Sequence, residues 1–140
     1  MIKKSYLQLA AILMVTILCF GFVSCGSDDN DGNGDSTFLI GEWQECRPTG
    51  EFKDDATSYE VMHLRFYSDG TGDWWSMSKG KKDSHYYSFN YSGYLNGSSG
   101  VLHLHITSST KSSEIGKNET WGISYVNGIL NIGEIYYKKK

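Results

Sequence analysis

The sequence has few of the features that mark enzymes, cofactor-dependent proteins and nucleic-acid-binding proteins. It has no phosphate-cradling glycine loop, no nucleophile elbow and no metal-binding motif. Paired acids such as Asp54-Asp55 lie in a polar stretch where they need not converge. Basic residues are also in short supply, with 13 Lys+Arg against 16 Asp+Glu. The chain therefore has no positive field to attract a phosphate backbone, and we predict no nucleic-acid partner. Because the catalytic and cofactor motifs are missing, we also predict no cofactor and no enzymatic activity.

Proline and helical periodicity are scarce as well. Pro48 is the only proline, and no segment after residue 37 repeats its apolar residues every 3.6 positions. Tyr, Trp, Phe, Val, Ile and Thr are abundant there and alternate with polar residues, which is typical of strands. This excludes a helical domain.

One long apolar run is present, over residues 7–23, and Lys3 and Lys4 precede it. A short basic region followed by an apolar stretch is the layout of a secretory signal, which we expect to be helical. A membrane-spanning helix is the alternative. The run is on the short side for a span of about 20 residues, and small and acidic residues follow it instead of a basic stop-transfer flank.

The end of this run resembles a bacterial lipobox. Phe22-Val23, Ser24 and Cys25 match the apolar, small and cysteine positions, although Leu is more usual than Phe at the first. The resemblance implies cleavage before Cys25 and lipid attachment to its sulfur and amino group. Two or more acyl chains hold a protein firmly on a membrane, whereas one chain binds reversibly. An ordinary cleaved signal with an incidental cysteine is the alternative.

The residues after Cys25 include three acids, in the stretch Ser27-Asp28-Asp29-Asn30-Asp31. They are similar to the export signal of surface-displayed lipoproteins of the Bacteroidetes type. The resemblance implies a chain anchored by lipid in the outer membrane and exposed at the cell surface. A solvated acidic linker is the plainer interpretation.

Cleavage would divide the chain into a signal peptide (residues 1–24), an acidic flexible tether (25–37) and one domain (38–140). The tether contains Gly, Asn, Asp and Ser and cannot bury enough surface to fold. The cleaved chain keeps 11 basic and all 16 acidic residues, a net charge of −5. Cys19 would be removed and Cys25 lipidated, so Cys46 could form no intrachain disulfide and is expected to pack within a strand.

Seven strands are predicted in the domain, joined mainly by short hairpin turns. Asp69-Gly70-Thr71-Gly72 is one turn, because both glycines can take positive φ, and Asn127-Gly128 favours a type I′ turn. An eighth strand is expected near residues 50–53 or 109–115. The strands lie in residues 38–46, 59–68, 73–78, 86–91, 101–107, 121–125 and 130–137.

Consecutive hairpins with one apolar face form a meander, and closure of the meander removes its exposed edges. We therefore predict an all-β fold, a small antiparallel up-and-down meander closing into a barrel of about eight strands. Within it, Met62, Leu64 and Phe66 should point inward. Trp75 and Met77 are also predicted inward, with Trp74 on the other face.

Three motifs in this order are similar to lipocalin-like domains. Leu39-Ile40-Gly41-Glu42-Trp43 matches the Gly-x-Trp of the first strand, whose indole closes the base of the barrel. Leu64 to Gly72 resembles a hairpin with an Asp-Gly-Thr turn, and Trp121 to Ile132 resembles the closing hairpin. The arginine that usually packs on the tryptophan from the last strand has no clear counterpart in this sequence.

Aromatic residues on the predicted inner face are the candidate ligand-binding residues. Aromatic walls with polar tips suit a small apolar or amphipathic ligand, and an eight-stranded barrel holds either one such ligand or a filled core. We expect the loop of residues 47–58 to lie over the open end. The candidates are Trp43, Trp75, Tyr87, Phe89, Tyr91, Trp121 and Tyr125.

Two weaker candidates lie on the opposite face. Trp74, Tyr86 and Tyr94 could stack on a glycan if they formed one patch. His103 and His105 have the i, i+2 spacing of a chelating pair, but no third ligand is placed nearby, so solvent-facing histidines and no metal are predicted.

The sequence thus predicts a non-enzymatic, lipid-anchored, extracytoplasmic binding domain for a small apolar or amphipathic ligand. Its partners would be the membrane, through Cys25, and a small ligand or glycan, while a protein partner is unknown. Two alternatives stay open. One is a structural or interaction module of an outer-membrane assembly with a filled barrel, and the other is a protein inhibitor that blocks its target with its loops.

Overall fold

Eight antiparallel strands form a closed barrel in the computed structural model, which describes residues 36–140. The predicted signal helix, Cys25 and the tether up to residue 35 lie outside the described residues. The strands are β1 (Gly41–Cys46), β2 (Val61–Phe66), β3 (Thr71–Ser78), β4 (Lys81–Asn96), β5 (Ser99–Ser109), β6 (Asn118–Val126), β7 (Ile129–Ile132) and β8 (Ile135–Lys139). Short 3-10 turns occupy Ser36–Leu39 and Ser112–Glu114.

Each strand pairs with the next one along the chain, and β1 closes the barrel by pairing with β8. The predicted all-β up-and-down meander that closes into a barrel is therefore confirmed. Closure pairs every strand with two neighbours, so unpaired backbone groups are confined to strand segments that extend beyond a neighbour, such as the first half of β6.

The eighth strand lies at neither of the two places where we expected it. The stretch predicted as one last strand instead reverses at Gly133-Glu134 and forms both β7 and β8, with Ile132 paired to Ile135. Gly133 has a φ of +62°, which allows this tight reversal. Phe52 forms only an isolated bridge with Cys46.

The hairpin turns follow their local chemistry closely. Asn127 and Gly128 both have positive φ, as a type I′ turn requires. Asp69 accepts hydrogen bonds from the backbone N–H and the hydroxyl of Thr71, at 2.9 and 2.6 Å, while Gly70 takes a φ of +84°. Gly72 is needed for a different reason than predicted. A Cβ there would lie 2.5 Å from the Phe89 ring and 2.6 Å from the Arg65 carbonyl oxygen.

One end of the barrel is closed around Trp43. Its side chain is fully buried and its indole N–H donates a 2.6 Å hydrogen bond to the carbonyl of Leu39 in the N-terminal 3-10 turn. The Lys139 ammonium lies 5.0 Å from the centre of the Trp43 rings. A lysine of the last strand therefore supplies the cation over the tryptophan for which no arginine was found in the sequence.

The half of the barrel next to Trp43 is filled with side chains. Phe66 contacts Phe89 and Tyr91 in edge-on geometry, with ring centres 5.7 and 4.9 Å apart. Fully or nearly fully buried members of this core are Leu39, Leu64, Phe66, Phe89, Leu102, Leu104 and Leu130.

Candidate functional site

A cavity of about 650 Å³ lies in the other half of the barrel, at the end where β1–β2, β3–β4, β5–β6 and β7–β8 are connected. This volume is typical of small-molecule sites, which occupy about 300–1,000 Å³. The lining is mostly aromatic and aliphatic. It consists of Met62, Trp74, Tyr87, Thr120, Trp121, Gly122, Ile132, Gly133, Glu134, Ile135 and Tyr137.

The short strand β7 leaves part of the wall open. It ends at Ile132, which pairs with Ile123 in the middle of β6. The first half of β6 therefore pairs only with β5, and the β7–β8 turn at Gly133-Glu134 lies beside it. The cavity is bounded there by a turn instead of a hydrogen-bonded strand, which gives a ligand a route inward.

One wall of the cavity is a stacked aromatic pair. Trp74 of β3 and Tyr87 of β4 are paired in register, with ring centres 5.0 Å apart and planes 12° apart. The His85 ring lies 5.3 Å from Trp74, on the side toward the barrel mouth. Aromatic surfaces held in this way present a flat apolar face to a bound molecule.

Two tyrosines bring hydroxyl groups to this apolar wall. Tyr87 is half-buried and Tyr137 is 3 % exposed. Burial, reinforced by nearby carboxylates, raises the pKa of both phenols well above the ordinary value of 10. Both groups therefore stay neutral across the physiological pH range and can donate a hydrogen bond.

Hydrogen-bonded acids surround the mouth of the barrel. Glu114 accepts hydrogen bonds from Ser109, at 2.7 Å, and from His85, with which it forms an ion pair when the ring is protonated. The hydrogen bonds to His85 and Ser109 lower the pKa of Glu114. Buried Glu45 pairs with Lys53 and accepts a 3.0 Å hydrogen bond from the Met62 backbone N–H.

A second network lies at the start of β4. Asp83 accepts 2.7 Å hydrogen bonds from the hydroxyls of Ser76 and Ser78, and these lower its pKa. Glu114 and Asp83 are thus held by hydrogen bonds that favour their charged forms.

The cavity gathers two of the seven predicted ligand-binding residues, Tyr87 and Trp121. Trp43 and Phe89 are fully buried in the filled half, and Tyr91 and Tyr125 pack against that core. Trp75 lies on the outer face. The sequence pattern did not single out Trp74, Ile135 or Tyr137 as ligand-binding residues, although they line the cavity.

The inward assignment of Trp75 and Met77 is wrong, and so is the outward assignment of Trp74. In the β2–β3 hairpin Leu64 pairs with Trp74, and His63 pairs with Trp75. Paired residues of antiparallel strands share a face, so Trp74 lies inside with Leu64. Because Trp74 and Trp75 are adjacent, either phase of the alternation along β3 places one tryptophan inside the barrel. The register that follows from the Asp69-Gly70 turn was the signal that could have decided between them.

The loop of residues 47–58 lies against the outer wall more than over the mouth, and none of its residues lines the cavity. Gln44 donates a 2.7 Å hydrogen bond to the Lys53 carbonyl, and the Gly80 N–H donates to the Asp55 carbonyl at 2.8 Å. The Lys53 ammonium pairs with Glu45 at the mouth.

This loop covers a buried histidine on the outside of the barrel. His63 is 2 % exposed and stacks on Trp75, with ring centres 5.3 Å apart. Within residues 36–140 neither ring nitrogen has a hydrogen-bond partner, although an Asp55 carboxylate oxygen lies 3.4 Å from Nε2. Burial lowers the pKa of His63 from 6.5, and the opposing attraction of Asp55 is smaller. The folded protein therefore holds a neutral imidazole here.

Acidification is expected to destabilise the fold through His63. Below about pH 6.5 the unfolded chain takes up a proton that folded His63 resists, so the free energy of unfolding falls until the lower folded pKa is passed. The melting temperature of the wild type should drop between about pH 7.5 and pH 5.5. His63→Leu should remove most of this drop, whereas His105→Leu, at an exposed position, should keep it. An equal slope in all three proteins would contradict this role.

The two weaker candidate sites do not assemble in the described residues. Tyr86 and Tyr94 are exposed but eight positions apart on β4, roughly 26 Å along the strand, and Trp74 is inside. His103 and His105 face solvent as predicted and hydrogen-bond to Thr120 and Asn118. No group of three potential metal ligands occurs in residues 36–140. Cys46 is a buried strand residue, as expected, and burial raises its pKa.

Comparison with known proteins adds no assignment, because no protein-family model, curated protein or solved structure matches the chain. Within residues 36–140 no helix has the length and apolar character needed to cross a bilayer.

Proposed function

We propose that this chain is a non-enzymatic binding protein whose barrel holds one small apolar or amphipathic molecule, in the manner of lipocalin-like domains. The observation that carries the proposal is the 650 Å³ cavity walled by Trp74, Tyr87 and Trp121. A barrel of eight strands holds either side chains or one ligand, and here buried side chains surround Trp43 at one end while a cavity lies at the other. The cavity favours a binding domain over a structural module with a completely filled barrel.

The division of the barrel suits this function physically. The filled half supplies the buried apolar surface that stabilises the fold, so the open half can leave apolar surface uncovered. A ligand that enters between β6 and the β7–β8 turn would cover that surface and stack on the Trp74–Tyr87 pair.

Titration with a polarity-sensitive apolar dye, and with a sterol, tests the proposal. We expect dye emission to rise and tryptophan emission to fall as the complex forms. Trp74→Ala should weaken binding about tenfold, because it removes the stacking wall. Trp75→Ala is the matched control, since the neighbouring indole lies outside, and it should bind like the wild type. Failure of the wild type to bind any compound of a broad lipid and glycan panel would contradict the proposal.

We further propose that the domain is held at the outer membrane by lipid on Cys25 and is displayed outward, on the strength of the lipobox and the acidic residues after it. The expected result of Cys25→Ala is a protein that leaves the membrane fraction, because the acyl chains that retain it are missing. Cell fractionation measures this, and Cys46→Ala is the control that should stay membrane-bound. Retention of the Cys25→Ala protein in the membrane fraction would contradict lipid anchoring.

A further inference from the structure

Two hydroxyl groups in the cavity wall have no hydrogen-bond partner among the residues that the structure describes. Neither the Tyr87 nor the Tyr137 hydroxyl forms a hydrogen bond within residues 36–140, whereas the Tyr91 hydroxyl of the filled half donates to the carbonyl of Tyr67 at 2.8 Å. A buried polar group without a partner costs stability unless water or a ligand reaches it. Tyr91 thus has a hydrogen-bond acceptor within the protein, whereas the two cavity tyrosines have hydroxyl groups that a ligand could reach.

These hydroxyls are open to the cavity. The buried side-chain nitrogens and oxygens without a partner in the described residues are both on His63, which lies outside the barrel. The hydroxyl of Tyr137 is therefore in contact with free space, although the residue as a whole is only 3 % exposed. Because Tyr137 and Tyr87 both line the cavity, that space is the cavity itself.

The charges around the two phenols are negative. Glu114 and Glu119 act on Tyr87, and Glu45 acts on Tyr137, each in the direction that disfavours a second negative charge. Glu134 lines the cavity and has no ion-pair partner within residues 36–140. A carboxylate placed between the phenols would lose its hydration and meet Glu119 and Glu134, which have no ion-pair partner within residues 36–140, besides the paired Glu45 and Glu114.

We infer that the cavity selects a neutral, ring-bearing molecule whose carbonyl or hydroxyl oxygen accepts hydrogen bonds from Tyr87 and Tyr137, and that it rejects carboxylates such as fatty acids. This inference rests on the proposed function and adds the chemical class of the ligand. The flat Trp74–Tyr87 surface favours fused rings over a flexible acyl chain, because a rigid ligand loses less conformational entropy on binding.

Three pyrene probes of nearly equal size separate the contributions of the ring system, of a hydrogen-bond acceptor and of a negative charge to the affinity. Pyrene has no polar group, acetylpyrene adds a neutral carbonyl, and pyrene carboxylate replaces that acetyl group with a charged one of similar shape. Energy transfer from tryptophan to pyrene reports binding. We expect acetylpyrene to bind about five- to tenfold more tightly than pyrene, as one or two hydrogen bonds allow. Pyrene carboxylate should bind at least about tenfold more weakly than acetylpyrene.

The variants Tyr87→Phe and Tyr137→Phe should each reduce the preference for acetylpyrene over pyrene, measured as the ratio of the two affinities in the same variant. Tyr86→Phe is the matched control, because Tyr86 is the adjacent, outward-facing tyrosine, and it should keep the preference. Equal affinity for pyrene and acetylpyrene, tightest binding of the carboxylate, or an unchanged preference in both cavity variants would overturn the inference while leaving a binding barrel. Binding of none of the three probes would count against the proposed function itself.

Discussion

Replacing Trp43 with alanine is expected to lower the free energy of unfolding by about 3–5 kcal/mol. The side chain is fully buried at the closed end, and its indole holds three parts of the chain together. It donates to Leu39 in the N-terminal turn, contacts Tyr125 of β6 edge-on at 6.1 Å, and lies under Lys139 of β8. Because a domain of this size is stable by about 5–15 kcal/mol, much of the native population could be lost.

Urea unfolding monitored by circular dichroism measures this effect. Trp43→Phe should cost less, about 1–3 kcal/mol, because it keeps an aromatic ring but leaves the Leu39 carbonyl without its donor. Tyr94→Ala, at a position that is 41 % exposed, is the control and should change stability by about 0.5 kcal/mol or less. A loss of under about 1 kcal/mol in Trp43→Ala would show that the closed end does not depend on the indole.

Replacing Ile135 with tryptophan is expected to abolish ligand binding with little loss of stability. Ile135 is partly buried where β8 begins, and its side chain lines the cavity beside the β7–β8 turn. The larger indole can extend into space that is empty in the wild type, so it fills the ligand site without displacing the core. Affinity for the apolar dye should fall by at least about tenfold, or 1.4 kcal/mol.

A matched control for this variant is Ile115→Trp. Ile115 lies in the β5–β6 loop and is 50 % exposed, so the same substitution there adds an indole without entering the barrel. Fluorescence titration of both variants, together with their thermal melting curves, separates occlusion from unfolding. Wild-type affinity in a correctly folded Ile135→Trp protein would place the ligand elsewhere.

Most of the fold could be predicted because its signals are local. Asn127-Gly128 and Asp69-Gly70-Thr71 specify their turns through positive φ and a side-chain hydrogen bond. The alternation of apolar and polar residues indicates the strands between the turns. The reversal at Gly133-Glu134 was missed because both flanking segments are apolar and no Asn-Gly or Asp-Gly pair marks the turn. The signal that could have marked it is a change of phase, because the inward residues are Leu130 and Ile132 before the turn and Ile135 and Tyr137 after it.

The site was harder to predict than the fold. Whether Trp74 or Trp75 points inward depends on the pairing with Leu64 and His63 across the hairpin, and a one-residue shift exchanges the two faces. The cavity itself results from the early end of β7 and from how the side chains pack, neither of which is encoded in the spacing of apolar residues. Tyr137 illustrates this, since it aligns with the inward pattern but only packing decides whether it fills the core or lines a cavity.

Fluorine NMR of the protein labelled with fluorotryptophan tests most directly whether the ligand binds inside the barrel. The chain has four tryptophans, and each resonance can be assigned by a single Trp→Phe substitution. Addition of an apolar ring compound should shift the resonances of Trp74 and Trp121, which line the cavity, and leave Trp75 on the outer face unchanged. A shift confined to Trp75, or no shift at saturating ligand, would contradict a binding site within the barrel.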